Sequence, residues 1–130
     1  PLLLESYSTV PNTIVRGESL LGISYVQYTI QTKGPIGFAP LNQYFADPSD
    51  VGLSAKASNP NAAKVFIDYL CSAEGQKKVA ETGEFVMAPG VYPAVQGAEK
   101  IMASLLMLND PSPEQLEKLQ GEFRQLFLAK

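Results

Sequence analysis

Histidine is absent from the 130 residues, and cysteine occurs once, at Cys71. Without an imidazole the chain cannot assemble a Ser-His-Asp triad, a histidine general base or the usual zinc centres. One thiol excludes an intrachain disulfide. No histidine or basic residue adjoins Cys71 to activate it, so a buried, inert thiol is expected. No apolar run approaches the ~20 residues that a membrane-spanning helix needs. Positive charge is not in excess either: ten Lys and Arg face thirteen Asp and Glu, for a net charge of −3. The basic residues are scattered, which argues against a nucleic-acid partner. A metal cation or a polar solute stays compatible with this balance. A Gly-rich phosphate loop, a CxxC pair, an acidic cluster of calcium spacing, internal repeats and low-complexity segments are missing too. The start, PLLLESYS, lacks an initiating Met and a basic leader, and its apolar stretch is too short for a signal peptide. A chain opening on Pro1 is expected to be a fragment or a processed product.

What is present is an ordinary globular composition, 45% hydrophobic and 18% charged, in a length that suits one domain. The strongest local signal is Asn59–Gly83, NPNAAKVFIDYLCSAEGQKKVAETG. Asn59 is a good N-cap and Pro60 suits the first helical position. Ala62, Val65, Phe66, Tyr69 and Leu70 recur at spacings of three and four, which predicts one apolar stripe. Ser72 caps a second helix with Glu74 in its first turn. Val79 and Ala80 point inward, and Gly83 ends the helix.

Before this pair, a short helix from about Ser8 to Val15 has Pro11 in its first turn and Gly17 as its cap. Ser19–Ser24, SLLGIS, reads as a buried strand, and Tyr25–Thr32 as a short helix with Val26 and Ile30 on one face. Ile36–Ala39 and Val51–Ala55 read as further strands, separated by the irregular Pro40–Asp50. After the pair, Glu84–Tyr92 is extended. A helix is predicted from Pro93 to about Leu108, with Ile101, Leu105 and Leu108 inward. Ser112-Pro113-Glu114-Gln115 carries a capping box. It opens a last helix, Pro113–Leu128, expected to bury Leu116, Leu119, Phe123 and Leu126 or Phe127. The fold class expected is therefore α/β, short strands followed by a mostly helical carboxyl-terminal half.

Candidate binding residues lie ahead of the helix pair. Tyr25 and Tyr28 stand after a predicted strand, where a helix begins, the usual place for a ligand in an open α/β fold. A tyrosine offers a hydroxyl donor, or a phenolate when a hard cation lowers its pKa. Ser24 and Gln27 add hydrogen-bonding groups. Asn42, Gln43, Tyr44 and Asp47 sit in the irregular stretch, where a solvated connection competes with a binding loop. The competing reading of both tyrosines is half-buried packing. Glu18 reads as a turn residue, and Lys77-Lys78 as a solvated helix face.

The run NPNAAKVFIDYLCSAEGQKKVAETGEFVMAPGV resembles the carboxyl-terminal region of extracellular solute-binding proteins of bacterial ABC importers. It is most similar to the group around the ferric-ion-binding proteins. VRGESLLGISYVQYTIQTKGPIGFAP, YPAVQGAEKI and EFRQLF also fit. The resemblance implies a type 2 periplasmic-binding fold of two lobes closing on a solute, represented here by its carboxyl-terminal part. Residues 1–35 would be a remnant of the second lobe, and residues 36–130 the hinge strand and the end of the first. Ferric-ion-binding members use adjacent tyrosines where this chain has Gln27-Tyr28, which makes Tyr28 the candidate metal ligand. Ser24, Tyr25, Gln27, Tyr28 and Asn42 are the ligand-binding candidates. The cargo implied is Fe(III) with an anion, or a small polar or anionic solute. The partners implied are a membrane permease and a complementing amino-terminal half or a second copy. The location implied is periplasmic or extracellular. No enzyme activity is expected, since no nucleophile–base pair can be assembled. The alternative is an assembly fragment with no ligand of its own.

Overall fold

The computed structural model describes residues 3–128. Its elements, in order, are α1 (Val10–Val15), α2 (Tyr28–Gln31), β1 (Tyr44–Ala46), α3 (Pro60–Cys71), α4 (Ala73–Glu81), α5 (Ala98–Ala103), β2 (Leu105–Met107) and α6 (Pro113–Phe123), the last continuing as a π-helical turn over Arg124–Leu128. This is a mixture of helices and short strands, dominated by helix after residue 60.

The α3–α4 corner explains the strongest sequence signal. The Ser72 hydroxyl donates to the Tyr69 carbonyl at 2.6 Å and accepts the Gly75 N–H at 3.1 Å. One side chain thus satisfies an end group of each helix. The Gln76 amide reaches back to the Leu70 carbonyl at 2.8 Å. Gly75 is buried, and a Cβ there would collide with the Tyr69 carbonyl oxygen. Only glycine lets the two helices meet this closely. Asn59 does not cap α3 with its side chain, which sits near the Ser58 hydroxyl instead; Pro60 is the effective start signal.

The three predicted strands, Ser19–Ser24, Ile36–Ala39 and Val51–Ala55, are not formed. Leu20, Leu21 and Ile23 are 96%, 82% and 87% exposed, so SLLGIS is not buried either. A strand is stabilised by a neighbour's backbone, and no other segment of the described chain supplies one. The strands that do form are a parallel pair, with Tyr44 opposite Leu105 and Ala46 opposite Met107. Parallel pairing requires a long crossover, here the α3–α5 region. β1 lies inside the stretch expected to be irregular. β2 replaces the end of the expected Pro93–Leu108 helix, which is confined to Ala98–Ala103. Leu105–Met107 gains ladder bonds to β1 that helix continuation would forfeit.

The core is small. Val95, Ala98 and Ile101 form its centre, with Val26, Phe38, Tyr44, Phe85 and Leu105 packed against it. Ala80 and Val86 are also buried, whereas Leu108 is 47% exposed. The apolar stripe of α3 is uncovered: Val65, Phe66 and Tyr69 are 69%, 59% and 42% exposed. So is that of α6, where Leu116, Leu119, Phe123, Leu126 and Phe127 are all exposed rather than buried. Cys71, at the end of α3, is likewise exposed, contrary to the buried thiol expected. The periodicity of these stripes is legible in the sequence, but no described residue covers them.

Candidate functional site

The start of α2 gathers most of the polar candidates. Tyr25 and Tyr28 stand one turn apart, with ring centroids 6.2 Å apart, and Tyr7 packs edge-on against Tyr25 at 5.0 Å. The Ser24 hydroxyl donates to the Tyr7 carbonyl at 2.7 Å and ties the amino-terminal segment to this corner. Gln27 turns the other way. Its amide donates to the Glu84 carboxylate at 2.5 Å, while Gln31 donates to the Thr82 carbonyl at 2.8 Å. These two bonds fasten α2 to the end of α4. Gly83 makes room for them: its φ is +96°, and a Cβ would lie 3.2 Å from the Gln27 carbonyl oxygen.

The electrostatic setting is negative. The Tyr25 phenol is held above its ordinary pKa, first by burial, then by the charge of Asp47 and by Tyr7, Tyr28 and Glu84. All these influences disfavour the phenolate. The corner thus sets three phenols in the field of two carboxylates, of which Glu84 is engaged by the Gln27 amide, a setting suited to a cation or to a polar solute bearing hydrogen-bond donors. A bound cation would reverse the sign of the effect on Tyr25.

Four of the sequence candidates, Ser24, Tyr25, Gln27 and Tyr28, are thus neighbours. Asn42 stays on the exposed turn before β1 and is not joined to them by any described hydrogen bond. Asp47 is near enough to act on Tyr25. Glu18 pairs with Arg16 at 2.6 Å on the surface. Tyr7 and Glu84 were missed. Glu84 had a local signal, a carboxylate directly after the helix-ending Gly83. Tyr7 had none, since only the fold brings it across to Tyr25. Among the described residues no three of His, Cys, Asp or Glu converge as a metal site.

A second feature lies on another side of α2. An open cleft of about 550 Å³ is walled by Thr29 and Ile30 of α2, the segment Ile36–Leu41, and α5 with its lead-in. Neither Tyr25 nor Tyr28 lines it.

The chain matches the family described as bacterial extracellular solute-binding protein over residues 14–104. That is well over half of its length, and the protein belongs to this family. No curated protein and no solved structure gives a significant match. The match includes α2, both halves of the α3–α4 corner and the core helix α5, and it stops where β2 begins. Membership implies a role in binding a solute, in a family that is generally non-enzymatic. It also implies an extracytoplasmic location and, in general, a membrane permease as partner.

Proposed function

We propose that the protein is the solute-binding component of an ABC-type importer and that its solute contacts the corner formed by Tyr25, Tyr28 and Ser24. The observation that carries this reading is the grouping of Tyr7, Tyr25 and Tyr28 beside Asp47 and Glu84 within a chain of the solute-binding family. The cargo is Fe(III) accompanied by an anion, with Tyr28 as a ligand, or a small polar solute. Asn42 would join from its exposed loop on closure. Residues 1–35 would belong to one lobe and residues 36–130 to the hinge and the other lobe. Binding would shift a hinge equilibrium toward closure, and the permease would read the closed form.

Thermal unfolding in the presence of Fe(III) with citrate, phosphate or carbonate, and of polar organic solutes, tests the reading. A ligand bound by the folded state alone raises stability in proportion to ln(1 + [L]/Kd). A rise in Tm that Tyr28→Phe and Tyr25→Phe abolish is expected. No shift with any of these solutes would overturn it.

A second reading is favoured by the uncovered apolar faces of α3 and α6. In it the chain is an assembly unit that pairs with a complementing half or with itself. The two readings are compatible if the covering partner completes the two-lobed fold.

A further inference from the structure

We infer that the cleft beside α5 is a separate binding site for a small monoanion with an apolar body, of the aryl-alkyl carboxylate class. Three properties of its lining carry this. Its lining is more apolar than polar, with Ile36 and Phe38 ahead of β1 and Val95 ahead of α5 among the apolar residues. Phe38 and Tyr44 hold an edge-to-face arrangement, with centroids 6.3 Å apart and planes at 75°, which puts aromatic surface in the lining. The only charged side chain in the lining is Lys100, which makes no ion pair among the described residues.

The remaining polar groups sort by what they have left to offer. The Ser104 and Thr29 hydroxyls already donate to the Ile101 and Val26 carbonyls. The Tyr44 hydroxyl accepts the Leu41 N–H at 3.0 Å, which leaves its own proton for a ligand. Gln96 adds an amide. The uncommitted groups are therefore an ammonium, a phenol O–H and an amide, with no carboxylate opposing them. A cation would meet Lys100 unpaired. A neutral apolar solute would leave the ammonium, the phenol proton and the amide without a partner on the ligand. A multiply charged anion would have one countercharge in a chain of net charge −3. A single carboxylate on an apolar body satisfies both halves of the lining, and a cleft of about 550 Å³ is of the size that holds small molecules.

The test is titration of ¹⁵N-labelled protein with 3-phenylpropionate, 3-phenylpropan-1-ol and 3-phenylpropylamine, followed by amide NMR. The carboxylate is expected to give saturable shifts at Gly37, Gly97 and Ser104, and to bind about tenfold or more tightly than the alcohol, as a charge-assisted contact should. The amine is expected not to saturate. Lys100→Met should erase the preference for acid over alcohol, and Lys100→Arg should keep it. Lys100 is exposed, so neither change threatens the fold. Phe38→Ala should weaken acid and alcohol alike. Tyr28→Phe should change nothing, which separates this site from the tyrosine corner and from the importer reading. Absence of saturable shifts, shifts centred elsewhere, or an acid preference that survives in Lys100→Met would each overturn the inference.

Discussion

Tyr25 is the side chain whose setting says most about the candidate site. Its neutral phenol is favoured by burial and by Asp47 and Glu84. At 42% exposure solvent screens much of that effect. The sign is nonetheless definite. A raised folded-state pKa contributes stability that is present in full below the ordinary tyrosine value of about 10 and is lost as pH climbs through the folded-state value. Spectrophotometric titration near 295 nm should therefore show one tyrosine ionising later than an ordinary phenol. Asp47→Asn should bring it earlier, and Tyr25→Phe should remove the late step together with the matching loss of stability in alkali. If the late step persists in Tyr25→Phe, the assignment fails. The same scale shows what was readable in advance. Ser24, Tyr25, Gln27 and Tyr28 are adjacent in sequence, so one turn of chain brings them together. Glu84 and Tyr7 reach the corner only through tertiary packing, which local pattern does not encode. Gln27–Glu84 is the bond that makes this packing specific. Glu84→Ala should cost about 1–2 kcal/mol, because it strands a part-buried amide, and chemical denaturation would measure it.

At the scale of elements, helices were legible and strands were not. The ends of α4 and α6 are marked by Ser72 and by the Ser112–Gln115 capping box, each a contact within one turn. The strands depend on partners far along the chain. Tyr44–Ala46 acquires Leu105–Met107, whereas SLLGIS, also apolar, acquires none, and its Leu20, Leu21 and Ile23 stay exposed. The two caps should also differ in consequence. Ser72 serves α3 and α4 together, and α4 carries the buried Ala80. Ser72→Ala should lower global stability by about 1–2 kcal/mol. Gly75→Ala should do more damage, since its Cβ has no space beside the Tyr69 carbonyl. α6 buries none of its residues, so Ser112→Ala should barely move the unfolding midpoint. Its effect should appear as faster hydrogen exchange confined to the α6 amides. An equal global loss in both serine variants would contradict this division.

At the scale of the whole molecule, surface area decides. A monomeric globular protein of 14.0 kDa exposes roughly 6,700 Å² by the usual scaling, and this chain exposes 10460 Å². The excess of about 3,800 Å² exceeds several-fold the ~800 Å² that each partner buries in a standard interface. Much of it is apolar and organised: Val65, Phe66 and Tyr69 on α3, Leu116, Leu119 and Phe123 on α6, and Leu20, Leu21 and Ile23 between α1 and α2. Solvated helix faces do not carry such stripes, and exposed apolar patches mark interaction surfaces. The chain is therefore expected to associate through these faces, with a covering partner when one is supplied and with itself when none is. Light scattering after size exclusion should show mass rising with concentration. Phe66→Asp, at a side chain already 59% exposed, should suppress that rise while circular dichroism keeps the helix content unchanged. Retention of the tyrosine-corner and α5-cleft ligand responses in that variant would show that both sites are built within this chain. A stable monomer at high concentration, in wild type and variant alike, would instead mean that the exposed stripes are compatible with solution on their own, and the assembly reading would fall.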